Sequence, residues 1–335
     1  MILATFTSIL PELKPYLRSK LKNLQLEISN KPLDLDKVNP DTEILGVFVD
    51  SKVDMAVFEK LPKLKLIVTC STGYDHIDLQ VAKKRKVVVC NVPTYGENTV
   101  AQHALTLMLA LSRKLFESVK RVKEGVYDYH GLVGFDLKGK TIGIVGTGHI
   151  GIHVIDMLQG FEARIIAHDP CATKELAKTH NFELVSWSTL LKESDIISLH
   201  VPLCDDTHYM INKSTIKKMK QGVYIINTAR GGLVDAQALV EGLESGKVAG
   251  AGLDVLEQEA YLMHTQKITS KTSATEIETS LMENILIDHP HTIVTPHNAF
   301  NSVEALRRIM DTSIENVKMF LEAETKNQII LKNNF

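Results

Sequence analysis

The chain has 335 residues, 44% of them hydrophobic and 23% charged, with a net charge of −2. That length predicts about two domains, and the mixed, nearly balanced charge excludes the electrostatic footprint of a nucleic-acid or anionic-membrane binder. No apolar run reaches the roughly 18 residues of a spanning helix, which excludes a helical membrane protein.

The opening residues lack the charged and small-residue marks of a signal peptide. Cys70, Cys90, Cys171 and Cys204 form no CxxC pair, and Cys70 and Cys90 read as buried free thiols at strand ends. A cytoplasmic protein is expected. In chain order, apolar β-like runs at 2–6, 24–28, 44–49, 64–70 and 86–90 alternate with amphipathic stretches such as 11–24 and 53–61. Strands alternating with helices predict a parallel α/β sheet. This first unit has no phosphate loop, so its functional candidates are the segments just beyond its strands, 48–52 and 71–78.

Residues 97–125 form the longest helix-like stretch, with Ala101, Leu105, Met108, Leu109, Ser112 and Leu115 at helical spacing. It reads as the crossing between units. Four glycines make 125–139 a loop. A second unit then runs through strands at 141–145, 164–168, 195–200, 223–228, 249–255 and 292–295, six in all. The Lys-, Ser- and Thr-rich stretch 267–280 reads as a surface loop, and 302–322 as a closing amphipathic helix. This order predicts an inserted domain at 101–297 within a discontinuous domain of 1–100 and 298–335, with a cleft between the two.

The second unit opens on Gly146-x-Gly148-x-x-Gly151, with a strand before it and a helix after it. Gly146 permits the turn, Gly148 lets the backbone approach a pyrophosphate, and Gly151 allows the helix to pack on its strand. The pyrophosphate would meet the N–H groups and positive dipole end of the helix. Asp169 closes the next strand, 18 positions beyond Gly151, where a carboxylate meets the ribose hydroxyls of the cofactor. That carboxylate repels a 2′-phosphate, and no basic residue directly follows it. The cofactor reads as NAD rather than NADP.

Four polar residues follow second-unit strands: Arg230, Asp254, Glu259 and His297. Reducing a 2-oxo acid calls for such a set. Arg230 offers a planar fork to the carboxylate, and His297 is the natural acid near neutral pH. Glu259 would orient that ring and favour its protonated form. Asp254 would position Arg230 or touch the nicotinamide side.

These residues sit in motifs that resemble the D-isomer-specific 2-hydroxyacid dehydrogenases. They run from Ser71-Thr-Gly-x-Asp-His-Ile-Asp78 and Asn91-Val-Pro-x-Tyr95 through the glycine loop and Asp169. His200-Val-Pro202, Asn227-Thr-Ala-Arg-Gly231, Gly252-Leu-Asp-Val255, Glu259 and Pro296-His297 follow in family order. The resemblance implies an α/β fold of two doubly wound parallel-sheet domains, a flavodoxin-like substrate domain and an inserted Rossmann NAD-binding domain. It implies that Arg230 binds and polarises substrate, that Glu259 pairs with His297, and that His297 is the acid/base. His149, Ile150, Asp169, Val201, Pro202, Thr207, Thr228, Ala229 and Asp254 would line NAD. Backbone amides near Thr72, Gly73 and Tyr74 would hold the substrate carboxylate, and the protein would be a homodimer formed through its cofactor domains.

Tyr95, the long interval from Glu259 to His297 and Pro296-His-Asn-Ala-Phe300 resemble the D-lactate branch, which implies pyruvate and D-lactate as the substrate pair. Glyoxylate, hydroxypyruvate or 2-oxoisocaproate is the alternative. Gln102, where the family usually has Glu, Ala260 in place of a common Pro, and the 267–280 stretch depart from the pattern. Two rival readings are a zinc site from His289, His291 and His297, and a dinucleotide-sensing regulator. The zinc reading lacks a further carboxylate or Cys cluster. The regulator reading goes with long polar tails, which the sequence does not show.

Overall fold

The computed structural model describes residues 1–262 and 272–330. It forms two compact units, one of Met1–Tyr95 with the chain from Ser302 onward, the other of Gly96–Asn301. The sequence reading sets those divides a few residues further in, at 100/101 and 297/298. No helix among the described residues is long and apolar enough to cross a membrane.

The first unit is a five-stranded sheet of β1 (Leu3–Phe6), β2 (Gln25–Ile28), β3 (Ile44–Val47), β4 (Leu66–Thr69) and β5 (Val88–Cys90). The strands lie in the order β2-β1-β3-β4-β5, all parallel. Every residue of β1, β3 and β4 is buried. Their near-continuous apolar sequences are what a parallel sheet covered on both faces requires. β2, with Gln25 and Glu27, takes the edge. The helix Val303–Leu321 closes this unit, and Ser302 caps it by accepting from the Ala305 N–H at 3.1 Å. Asn316 Nδ2 on that helix donates to the Asn91 carbonyl at 2.9 Å, stitching the returning chain to the end of β5.

The second unit carries β6 (Thr141–Val145), β7 (Arg164–His168), β8 (Glu183–Leu184), β9 (Ile196–Leu199), β10 (Val223–Asn227), β11 (Val248–Leu253) and β12 (Thr292–Val294). They form one parallel sheet in the order β12-β11-β10-β9-β6-β7-β8. The six expected strands thus become seven, because β8 is a two-residue edge strand too short to leave a periodic signal. The strand order reverses between β6 and β9, the switch point where an open α/β sheet receives a ligand. Successive residues feed opposite faces, as the pleat demands: Ile197 and Ile225 enter one core, Ile196 and Ile226 the other.

Two expectations need correction. Residues 97–125 are not one helix but two, Glu97–Ser112 and Leu115–Lys123. The Ser112 carbonyl accepts from Phe135 at 2.9 Å instead of continuing the helix, and Lys114 turns left-handed at φ 48°. The first of these helices lies wholly in the second unit, against His149–Leu158 and β11, rather than crossing between units. The surface loop expected at 267–280 is helical from residue 274, within Ala274–Asp288. Ser273 and Glu276 form a reciprocal capping box that starts it. Residues 267–271 of that expectation lie outside the described residues.

Candidate active site

Because the seven strands of the second unit are parallel, their C-terminal ends share one edge, and the loops leaving that edge carry the candidate residues. After β6, Gly146 takes φ 91°, and a Cβ there would lie 2.6 Å from the His200 carbonyl. A Cβ on Gly151 would lie 2.0 Å from the Gly146 carbonyl, so helix and turn touch backbone to backbone. A Cβ on Gly148 would meet no protein atom within 4 Å. Protein packing therefore does not demand glycine there, whereas close approach of a bound phosphate would. Gly148 caps the helix His149–Leu158, whose first N–H groups lack intrahelical acceptors and carry the positive end of the dipole. His149 stands exposed beside them and Ile150 half-buried.

Asp169, half-buried after β7, accepts from the Thr147 N–H and hydroxyl at 2.8 Å each and from the Cys171 N–H at 2.8 Å. Burial opposes its ionisation, but those donors outweigh it and hold the carboxyl below its ordinary range. It is a fixed anion at the end of the second strand of the motif. Beyond β9, Val201 is half-buried and Pro202 exposed. The Thr207 hydroxyl donates to the Pro202 carbonyl at 2.7 Å and closes that loop. Beyond β10, the buried Asn227 side chain donates to the Arg230 carbonyl at 2.8 Å and accepts from the Ala229 N–H at 3.1 Å. This locks the turn Thr228-Ala229-Arg230. Within it the buried Thr228 hydroxyl has no hydrogen-bond partner among the described residues. Leaving such a group unmade costs about 1–3 kcal/mol.

The Asp254 carboxylate is fully enclosed after β11. It accepts from the Asn298 and Ala299 N–H groups at 2.8 Å each and from the Thr295 hydroxyl, and His103 Nε2 lies 3.4 Å away. Burial again opposes ionisation, and those donors again prevail, so Asp254 is held ionised. Its geometry is that of a group fixing the turn at 295–299. In that turn His297 has φ 50°, a left-handed conformation, and its N–H donates to the Asp254 carbonyl at 2.8 Å. The ring then meets Glu259: His297 Nδ1 lies 2.9 Å from Glu259 Oε2, with both side chains about one quarter exposed. A carboxylate only accepts, so Nδ1 carries the shared proton.

Glu259 Oε1 accepts from the Leu256 N–H at 3.0 Å. The same turn packs on the arginine loop so tightly that a Cβ on Gly231 would lie 2.1 Å from the Leu256 carbonyl carbon. Arg230 and the Glu259–His297 pair are thereby supported by one turn, 256–258. Sequence reasoning did not single out Asn227, His103, Glu257 or Glu283 as parts of this edge. Asn227 opens the Asn227-Thr-Ala-Arg-Gly231 motif and His103 directly follows Gln102, which was the available signal. Glu257 and Glu283 gave none.

The other expected residues lie in the first unit. Thr72, Gly73 and Tyr74 follow β4, where Ser71 Oγ donates to the Gly73 carbonyl at 2.7 Å and Thr72 Oγ1 to the Val92 carbonyl at 2.9 Å. The Tyr95 carbonyl accepts from Arg308 Nε at 2.6 Å. The three histidines of the zinc reading do not form a set. His289 and His291 pair ring to ring at 5.6 Å while His297 serves Glu259, and among the described residues no group of three His, Cys, Asp or Glu could hold a metal.

A glycine-rich turn feeding a helix, a fixed anion after the next strand, and a histidine–carboxylate pair on the same sheet edge define a dinucleotide-dependent oxidoreductase. The family model of the D-isomer specific 2-hydroxyacid dehydrogenase, NAD binding domain, matches residues 105–299. The D-lactate dehydrogenase of Escherichia coli is 35% identical over 288 residues, 84% of each chain. The hydroxypyruvate reductase of Thermotoga maritima is 38% identical over 296 residues, 88% of this chain and 90% of that one. The crystal structure of D-lactate dehydrogenase from Aquifex aeolicus, complexed with NAD and lactic acid, superposes at a TM-score of 0.86 with 34% identity, covering 98% of this chain and all of that one. This chain belongs to the D-isomer specific 2-hydroxyacid dehydrogenase family, and its cofactor is NAD. The open approach at Gly148, the partnerless Thr228 hydroxyl and the fixed Asp169 carboxylate all fit that cofactor.

Gly231→Ala should force the 256–258 turn away from the arginine loop. We expect kcat/KM to fall by roughly 10²-fold, the cost of an ångström-scale misplacement, with the protein still folded by circular dichroism. Unchanged kinetics would show that the turn tolerates the shift.

Proposed function

We propose that this enzyme interconverts pyruvate and D-lactate, and that Arg230, Glu259 and His297 carry the reaction. The observation that carries the reading is the 2.9 Å pairing of His297 Nδ1 with Glu259 Oε2. With Nδ1 committed to the carboxylate, Nε2 is the nitrogen that gives a proton to the carbonyl oxygen in reduction and takes it back in oxidation. Glu259 fixes the ring through that hydrogen bond. Arg230 grips the substrate carboxylate with its planar fork. Bound NADH supplies the hydride that joins C2 of the 2-oxo acid. Support for lactate comes from the similarity to the two D-lactate dehydrogenases. The likeness to a hydroxypyruvate reductase keeps that substrate as the second reading.

In this reading Gly146, Gly148, His149, Ile150 and Gly151 cradle the pyrophosphate, and Asp169 takes the ribose hydroxyls. Val201, Pro202, Thr207, Thr228 and Ala229 flank the cofactor. Asp254 acts by fixing the turn that carries His297. Thr72, Gly73, Tyr74 and Tyr95 take part in holding substrate. A homodimer accords with the row of exposed apolar side chains Leu115, Phe116, Val119 and Val122 on one short helix, continued by Tyr127. Such a row is unusual on a surface left to water. Four free cysteines suit a reducing, cytoplasmic setting.

A panel of pyruvate, glyoxylate, hydroxypyruvate and 2-oxoisocaproate with NADH should give pyruvate the highest kcat/KM, and another winner would reassign the substrate. In the same assay His297→Ala should lower kcat by roughly 10²–10⁴; near-parental turnover would remove it from the chemistry. Asp169→Ala should cut the NADH-over-NADPH preference by about tenfold or more, through lost hydrogen bonds to a charged acceptor. A variant as selective as its parent would count against the role of Asp169. Phe116→Asp should convert a dimer to monomer in sedimentation, and an unchanged mass would place the interface elsewhere.

A further inference from the structure

Behind the histidine–glutamate pair lies a carboxyl that the reaction does not use. Glu283 sits on the helix Ala274–Asp288 and is 1% exposed. Its Oε1 accepts from the Glu257 N–H at 2.5 Å and the Gln258 N–H at 3.2 Å, and its Oε2 accepts from the Gln258 N–H at 3.1 Å. These are the two residues immediately before Glu259. The same turn leans on Gly231, beside Arg230. Its third support is the Glu257 side chain, which accepts from the Tyr209 hydroxyl at 2.7 Å and has His208 Nε2 3.9 Å away.

We propose that Glu283 is a positioning residue: from the helix behind the site it holds the N–H groups of Glu257 and Gln258 and so fixes the turn that carries Glu259. The inference rests on the reading of His297 and Glu259 as the proton-transferring pair. A carboxyl brings two acceptor oxygens to those two N–H groups, and both are used. A glutamine would bring one acceptor oxygen and an NH2 group that only donates, and an aspartate would stop one methylene short. Burying a carboxyl beside two more acids, Glu257 and Glu259, is costly, and the hold on this turn is what offsets that cost.

The charged neighbours are few. Glu257 and Glu259 face Glu283 across the turn, with His297 beyond Glu259 and Tyr209 and His208 beyond Glu257. On the helix Ala236–Glu244, which packs against the same helix, Glu241 pairs with Lys213 at 2.6 Å and Glu244 acts on His289. Burial first, and then the charges of Glu257 and Glu259, push the Glu283 carboxyl up to about 7 against the pull of its two N–H donors. A carboxyl raised in the folded state contributes stability that is fully present below the ordinary carboxyl range and is lost as pH rises through about 7.

The test compares the purified full-length enzyme with Glu283→Gln and Glu283→Asp, using NADH and each of the four 2-oxo acids of the panel, together with Tm from pH 5 to 9. For Glu283→Gln we expect kcat to fall roughly tenfold, the scale of a lost outer partner, with KM changed less than about twofold. The parent's loss of Tm as pH rises through about 7 should be absent from Glu283→Gln, because no buried carboxyl is left to ionise. Glu283→Asp keeps both acceptor oxygens but one methylene short of the turn, so its kcat should stay low while its KM stays near the parental value. If Glu283→Gln and Glu283→Asp both keep the parental kcat, whatever their Tm, Glu283 only braces the helix and the proposal is overturned. A fully active His297→Ala would instead remove the underlying reading, so the two failures are distinct.

Discussion

Seven strands running the same way leave every carboxyl end on one edge, and this is the constraint on which the site depends. Arg230, Glu259 and His297 are separated by dozens of residues, yet each follows a strand of that sheet, β10, β11 and β12. An antiparallel arrangement would send half of these loops to the opposite edge. The apolar runs that make the strands parallel and doubly covered are therefore the remote cause of the geometry at this edge. Buried Ile and Val side chains, each contributing about 1.5–3 kcal/mol, hold the edge rigid enough for hydrogen bonds to be aimed from it.

Along that edge the chain tolerates conformations that packing alone would not select. His297 adopts φ 50°, Thr228 buries a hydroxyl without a partner, and Asp254 and Glu283 are buried acids. Each has an identifiable compensation or use. Asp254 gathers backbone N–H groups from the turn that holds His297, and so offsets the strain of a left-handed histidine. Glu283 gathers those of the turn before Glu259. Two buried acids thus brace the two arms that bring Nδ1 and Oε2 to 2.9 Å. Departures from ordinary packing concentrated in one place are what a working site shows.

The parts that were legible in the sequence are those set by local rules. The run before Gly146, the glycine spacing and Asp169 fall where the motif puts them, because strand, turn and helix are contiguous. The closing helix was legible from periodicity, and its cap is Ser302. What escaped depends on distant partners. The helix at 97–125 breaks because Phe135 captures the Ser112 carbonyl, and nothing near residue 112 announces that. The capping box at Ser273 and Glu276 was readable, but the polar composition around it pointed to a loop. Pairing His297 with Glu259 followed from chemistry. The turn they share with Arg230, and the acid behind it, depended on a helix whose relation to the site no spacing reveals.

The account's central claim is that His297 and Glu259 act as one unit, and a double-mutant cycle tests it most directly. Measured on kcat/KM with NADH and pyruvate, Glu259→Gln, His297→Ala and the double variant should be strongly non-additive, the double variant falling little below His297→Ala alone. Additive losses, with the double variant slower by the product of the two single effects, would mean that the two side chains act independently and that the pairing seen at 2.9 Å is incidental to the chemistry.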